Sequence, residues 1–148
     1  MRRRLPQGVR MYTGDDFNYA ELIAGAITSK IPSSASENPC ASPAAASALS
    51  ALTRGDSKTF HDILAPTVPL SRHIFKAPTR FYKTGVVFMA YLNGLQDHFT
   101  LVGGQESARS TLHLAELFRL ADAAGLLADP DRAAGRMRVV MAGRGVQA

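Results

Sequence analysis

Gln105-Glu106-Ser107-Ala108-Arg109-Ser110-Thr111-Leu112-His113-Leu114-Ala115-Glu116-Leu117-Phe118-Arg119-Leu120-Ala121-Asp122-Ala123-Ala124 is the stretch with the clearest period in the chain. Leu112, Ala115, Leu117, Phe118, Leu120 and Ala121 recur at helical spacing, and Gly125 follows as a stop. The pattern predicts a helix over 105–124. It sets the expectation for the whole chain, which is predominantly α-helical.

Working outward, the flanks read the same way. Asp129-Pro130 supplies an N-cap and a first-turn proline for a last helix to about Met141. Gly103-Gly104 marks a turn on the other side. Residues 79–93 are strongly apolar, with Phe81, Val86, Val87, Phe88, Met89, Tyr91 and Leu92. A helix ending at Gly94 is the first reading, and the β-branched pair leaves a strand as the alternative. Ala77-Pro78 breaks the chain, because the residue before proline avoids helical geometry. A short helix over 70–76 precedes that break. Asp56 caps a helix through Phe60, Ile63 and Leu64, and Gly55 ends an Ala-rich helix over 44–54.

The N-terminal part differs in character. Val9-Arg10-Met11-Tyr12-Thr13 favours a strand, with turn signals in Pro6-Gln7-Gly8 and Gly14-Asp15-Asp16 on either side. Phe17 to Ala24 then reads as a helix capped by Asp15 or Asp16. Residues 25–43 are rich in Ser, Pro and Ala and have little periodicity, so they read as an irregular segment.

With 148 residues, 46% hydrophobic and 20% charged, the chain reads as a globular domain rather than a disordered one. No run is long and apolar enough to span a bilayer. No apolar run follows Arg2-Arg3-Arg4, which argues against a secretory signal, so a cytoplasmic setting is expected. One cysteine, Cys40, excludes an internal disulfide and a cysteine-based metal site. The net charge of +5 raises nucleic-acid binding as a reading. Against it, three arginines lie at the N-terminus, and Arg132, Arg136, Arg138 and Arg144 have spacings that suit a solvated helix face. No nucleic-acid partner and no membrane partner are expected.

The order of these features resembles the C-terminal quarter to third of the dihydrodipicolinate synthase and N-acetylneuraminate lyase superfamily, in an uncharacterised dihydrodipicolinate synthase-like branch. The likeness rests on Met11-Tyr12-Thr13-Gly14-Asp15-Asp16-Phe17-Asn18-Tyr19, on Ala65-Pro66-Thr67-Val68-Pro69-Leu70-Ser71-Arg72-His73-Ile74-Phe75, and on Pro78 with Lys83-Thr84-Gly85. It implies an α/β fold by descent: the C-terminal part of a (β/α)8 TIM barrel plus a helical extension. A complete barrel needs about 250 residues, so this chain would hold one short strand and remain mostly helical. The implied organisation is a barrel strand and helix over 1–24, the irregular segment 25–43, and a helical C-terminal region 44–143.

The family resemblance implies class I aldolase chemistry. A lysine on the sixth strand forms a Schiff base with a 2-oxo acid such as pyruvate, and the iminium ion acts as an electron sink. In the implied register that lysine, the proton-shuttling tyrosine and the carboxylate-binding turn all lie upstream of Met1. Lys83 matches the lysine that opens the C-terminal extension, not the Schiff-base lysine. Lys30, Lys58 and Lys76 are weaker replacements. No catalytic residue is therefore assigned.

Gly14, Asp15 and Asp16 are the candidate substrate-binding residues, since in an intact barrel they would sit at the C-terminal mouth. A helix cap plus turn explains the aspartates equally well. His61, His73, His98 and His113 sit on separate elements without metal spacing, so no metal site is expected. Gly103-Gly104 lacks the lysine and preceding strand of a phosphate loop, and no cofactor is expected. Ser71 and Ser107 have no placeable His or Asp neighbours.

The chain departs from the family between 25 and 43, where an eighth strand should stand. Pro32 and Pro39 would not be accepted in a central strand. The hypothesis of a reading-frame excursion, restored near Pro43, is tested by the parent nucleotide sequence. It fails if neither other frame encodes an apolar strand. The resulting expectation is a C-terminal portion of a Schiff-base lyase or aldolase-like protein, inactive alone, whose C-terminal helices pack on a barrel exterior or on a second copy. In the intact fold the partner would be a small 2-oxo acid. The alternative is a non-catalytic helical interaction or oligomerisation module, which predicts an exposed apolar stripe on 81–92 or 112–120.

Overall fold

The computed structural model describes residues 42–147, and within them the chain is predominantly α-helical, with no strand. The helices are α1 (Ser42–Thr53), α2 (Ser57–Leu64), α3 (Val68–Ile74), α4 (Tyr82–Leu92), α5 (Thr111–Ala123) and α6 (Pro130–Ala142). Short 3-10 turns at Ala65–Thr67, Thr79–Phe81 and Val102–Ala108 link them. The expected strand at Val9–Thr13 lies outside the described residues.

The helix ends follow their capping chemistry. Gly55 (φ +80°) ends α1, and its N–H and that of Asp56 reach back to the carbonyls of Leu52 and Ala51 at 3.0 Å each. The Asp56 carboxylate accepts from the Thr59 N–H at 3.0 Å and starts α2. Asp129 does the same for the Arg132 N–H at 3.0 Å, with Pro130 in the first turn of α6. Gly94 (φ +76°) closes α4, and a Cβ there would lie 3.0 Å from Arg132 Cζ. The left-handed φ is what favours glycine here, since the arginine tip is free to shift.

The main core gathers α3, α4, α5 and α6. Leu70 and Ile74 meet Phe88, Met89 and Leu92, then Leu114, Leu117 and Ala121, with Leu127, Ala133 and Met141 closing the far side. Val86 and Val87 are helical, so the strand alternative for 79–93 does not hold. The β-branched pair is accommodated because the segment packs an apolar helix face against three neighbours, and tertiary burial outweighs propensity. Thr84 is fully buried, and its hydroxyl donates to the Gln105 carbonyl at 2.8 Å, which removes the penalty of an unpaired polar group. A second, smaller cluster joins α1 to α2 through Ala48, Ala51, Leu52, Phe60 and Leu64.

Two expectations need correction. The helix predicted over 105–124 begins at Thr111, because Gly103 and Gly104 take φ of +71° and +70° and residues 102–108 form 3-10 turns. Arg109 and Ser110 are extended, and Ser110 is the true N-cap. The buried stripe of α5 is Leu114, Leu117 and Ala121, whereas Leu112 is 82% exposed. The residues of 81–92 and 112–120 expected to form an exposed stripe mostly face each other inside the core: Phe88, Met89, Leu92, Leu114 and Leu117 are all fully buried.

Candidate functional site

The richest collection of polar chemistry lies where the C-terminal end of α3 meets the N-terminal turn of α5. Helix α3 stops at Ile74, and residues 75–78 lead away from it. Four carbonyls in this stretch converge on one side chain. Arg109 Nη2 donates to Lys76 O at 2.6 Å, Pro78 O at 3.2 Å and Ile74 O at 3.4 Å, and Nη1 donates to Ala77 O at 3.4 Å. A cation suits this place because the last carbonyls of a helix lack intrahelical partners and carry the negative end of its dipole. Arg109 is only 6% exposed, and its Nε is buried without a hydrogen-bond partner. Burial pushes its pKa below the ordinary guanidinium value. It stays charged, as arginine does in proteins. Among the described residues no carboxylate pairs with it.

Beside Arg109, Ser110 is extended and its hydroxyl accepts from the His113 N–H at 3.2 Å. This cap leaves the N–H groups of Thr111 and Leu112 without intrahelical partners. One turn in, the His113 ring stacks on His73 of α3, with centroids 4.0 Å apart and planes 18° from parallel. His73 Nε2 donates to the His113 carbonyl at 2.9 Å, since a carbonyl can only accept. His113 Nε2 is buried and has no partner. Burial lowers the His113 pKa to about 4, and the positive potential of His73, Arg109 and Lys76 acts in the same direction. The imidazole is therefore neutral at physiological pH.

These groups line an open pocket of about 370 Å³, which includes His73, Lys76, Arg109, Ser110, Leu112 and His113 and no acidic residue. Glu116, which feels the charge of His73, is tied to Arg119 at 2.6 Å. With no acid to orient either histidine, and with the Ser110 hydroxyl occupied as a cap, the pocket has no nucleophile–base–acid arrangement. Among the described residues no group of three His, Cys, Asp or Glu is placed to hold a metal ion.

The four histidines were expected to stand apart. His61 and His98 are exposed and separate, but His73 and His113 form one unit. They lie on different helices, so no local spacing in the sequence signals the pair. Gly14, Asp15 and Asp16 lie outside the described residues, as does Lys30. Ser107 donates to the Gly104 carbonyl at 2.7 Å within its own turn, and Ser71 is buried in α3.

The three described lysines are all exposed. Lys83 is exposed in the first turn of α4, with Nζ 5.1 Å from the Tyr82 ring centroid. Lys58 is exposed and pairs with Asp62 at 2.5 Å, which raises its pKa. Lys76 is exposed at the pocket rim.

The basic residues of the last segment are not simply a solvated face. Arg136 Nη1 donates to the carbonyls of Tyr91 and, at 2.7 Å, Gln96, and its guanidinium lies over the Tyr91 ring at 4.7 Å. Arg144 donates to Glu106 O at 2.6 Å and to Arg109 O at 3.1 Å. Arg132 reaches Asn93 O at 3.4 Å. Much of the positive charge is thus spent on carbonyls at helix ends and turns.

Comparison with known proteins gives one family. A family model described as "Protein of unknown function (DUF993)" matches residues 1–146. No curated protein matches the chain.

Proposed function

The chain belongs to the DUF993 family, and from that premise we propose that it is the C-terminal portion of a barrel protein similar to the class I aldolases and lyases, without catalysis of its own. The observation that carries this reading is the setting of the lysines. A Schiff-base lysine needs an apolar pocket or a cationic neighbour to lower its pKa and free its lone pair. Lys58, Lys76 and Lys83 are all exposed, and the pKa of Lys58 moves the opposite way. In this reading none of these three lysines carries the chemistry. The helices α3 to α6 form a self-contained extension that packs on a barrel exterior. Reductive trapping with pyruvate tests it: no adduct is expected on these lysines, and a specific adduct on any of them removes the proposal.

A further inference from the structure

We propose that the connection between α3 and α4 is a docking surface for an acidic segment of a partner polypeptide, engaged by Lys76, Arg80 and Lys83. No Asp or Glu stands between Asp62 and Asp97, and all three cations fall in that interval. Local structure gathers them. The Thr79 hydroxyl donates to the Phe75 carbonyl at 3.1 Å, and the Phe75 and Tyr82 rings stack with centroids 4.9 Å apart. Lys76, Arg80 and Lys83 each follow one of these three residues in the chain, and each is exposed. The backbone between them is held from the inside, because Arg109 draws the carbonyls of Lys76, Ala77 and Pro78 to itself. A connection fixed in this way lowers the ordering cost of binding.

Charge pairing separates these cations from most others. Lys58, Arg119, Arg132 and Arg136 each meet a carboxylate, and Arg144 donates to carbonyls. Among the described residues Lys76, Arg80 and Lys83 have no carboxylate partner. Neighbouring cations left without counter-charge attract an acidic partner, and the guanidinium of Arg80 can take a carboxylate through two parallel hydrogen bonds. The same stretch disfavours other polyanions. None of its aromatic rings is exposed: Phe75 and Tyr82 stack on each other, Arg80 lies over Phe81 at 4.7 Å, and Lys83 Nζ lies 5.1 Å from the Tyr82 ring centroid. Nucleic-acid bases therefore find no open stacking platform. No large apolar side chain of the stretch is exposed either, so a lipid surface finds no anchor to receive.

This surface does not depend on the aldolase-like reading. The full chain is titrated against a fluorescein-labelled oligoglutamate peptide, and anisotropy reports binding at physiological ionic strength. A labelled oligothymidylate strand and vesicles of phosphatidylcholine with phosphatidylserine are the comparison probes. Two variants of equal net charge are compared with the parent. One joins Lys76→Gln, Arg80→Gln and Lys83→Gln; the other joins Arg54→Gln, Lys58→Gln and Arg138→Gln. All six positions are exposed, and circular dichroism checks that both variants keep their helices. The expected result is saturable binding of the peptide that weakens about tenfold in the first variant, the scale of three exposed ion pairs, and less than twofold in the second. No saturable binding, or equal losses in the two variants, overturns the proposal. Tighter binding of the oligonucleotide or the vesicles than of the peptide overturns the assignment to an acidic polypeptide.

Discussion

The guanidinium of Arg109 donates to the carbonyl of Lys76 at 2.6 Å, tying the entry of α5 to the exit of α3 across 33 residues of sequence. The same side chain reaches the carbonyls of Ile74, Ala77 and Pro78. Replacing Arg109 with methionine keeps much of the apolar stem and leaves these carbonyls without their donor. The expected loss is about 2–3 kcal/mol, the scale of hydrogen bonds to a charged group. Urea unfolding at pH 7 measures it. A change below about 0.5 kcal/mol would show that solvent replaces the clamp without cost.

His113 makes stability depend on pH with a defined sign. Its folded pKa of about 4 lies below the ordinary 6.5, so between those values the unfolded chain binds the proton and the folded chain does not. The contribution is complete above pH 6.5. It falls as pH drops from 6.5 towards 4 and changes no further below that. After solvent screening the magnitude is about 1–2 kcal/mol. His113→Phe, which retains a ring against His73, should flatten this part of the profile. Denaturant midpoints at pH 7, 5.5 and 4.5 compare the two proteins.

At Gly85, α4 runs close against α3 and α5. A Cβ there would stand 3.1 Å from Leu117 Cδ1 and 3.2 Å from Ile74 Cγ1 and Cγ2. Both neighbours are buried in the core and have little freedom to retreat. Gly85→Val should therefore cost about 1–3 kcal/mol through overpacking, despite removing a helical glycine. Thermal unfolding of the variant checks this. A gain in Tm would mean that α4 can shift outward freely.

The two apolar clusters predict uneven stability. Phe60 is fully buried in the smaller cluster between α1 and α2. Phe60→Ala should cost that cluster about 3–5 kcal/mol. Amide exchange should then accelerate in residues 42–64, while the amides of α4 and α5 keep their protection. Equal acceleration in α5 would show that the two clusters unfold as one.

Much of the helical architecture was legible in the sequence, because caps and stops are local. Asp56, Asp129, Pro130, Gly55, Gly94 and Gly125 each act within a few residues, and each marks a helix boundary as expected. The start of α5 was not legible in the same way. The apolar period continues backwards into 105–110, but two successive left-handed glycines and the extended Arg109 and Ser110 hold that part out of the helix. Arg109 is pulled there by carbonyls more than thirty residues away, which no local pattern reveals. The site was the least visible part. The His73–His113 stack and the carbonyl-bound arginines depend on how helices cross, and composition alone suggested only an exposed basic face. The proposed substrate residues Gly14, Asp15 and Asp16 stand outside the described residues.

The most direct test of the account is intact mass spectrometry of the full chain after incubation with pyruvate and borohydride, followed by peptide mapping. The account predicts no adduct on Lys58, Lys76 or Lys83, because all three are exposed and lack the desolvated setting of a Schiff-base lysine. A stoichiometric adduct mapped to Lys83 would contradict it and place an aldolase-type site at the start of α4.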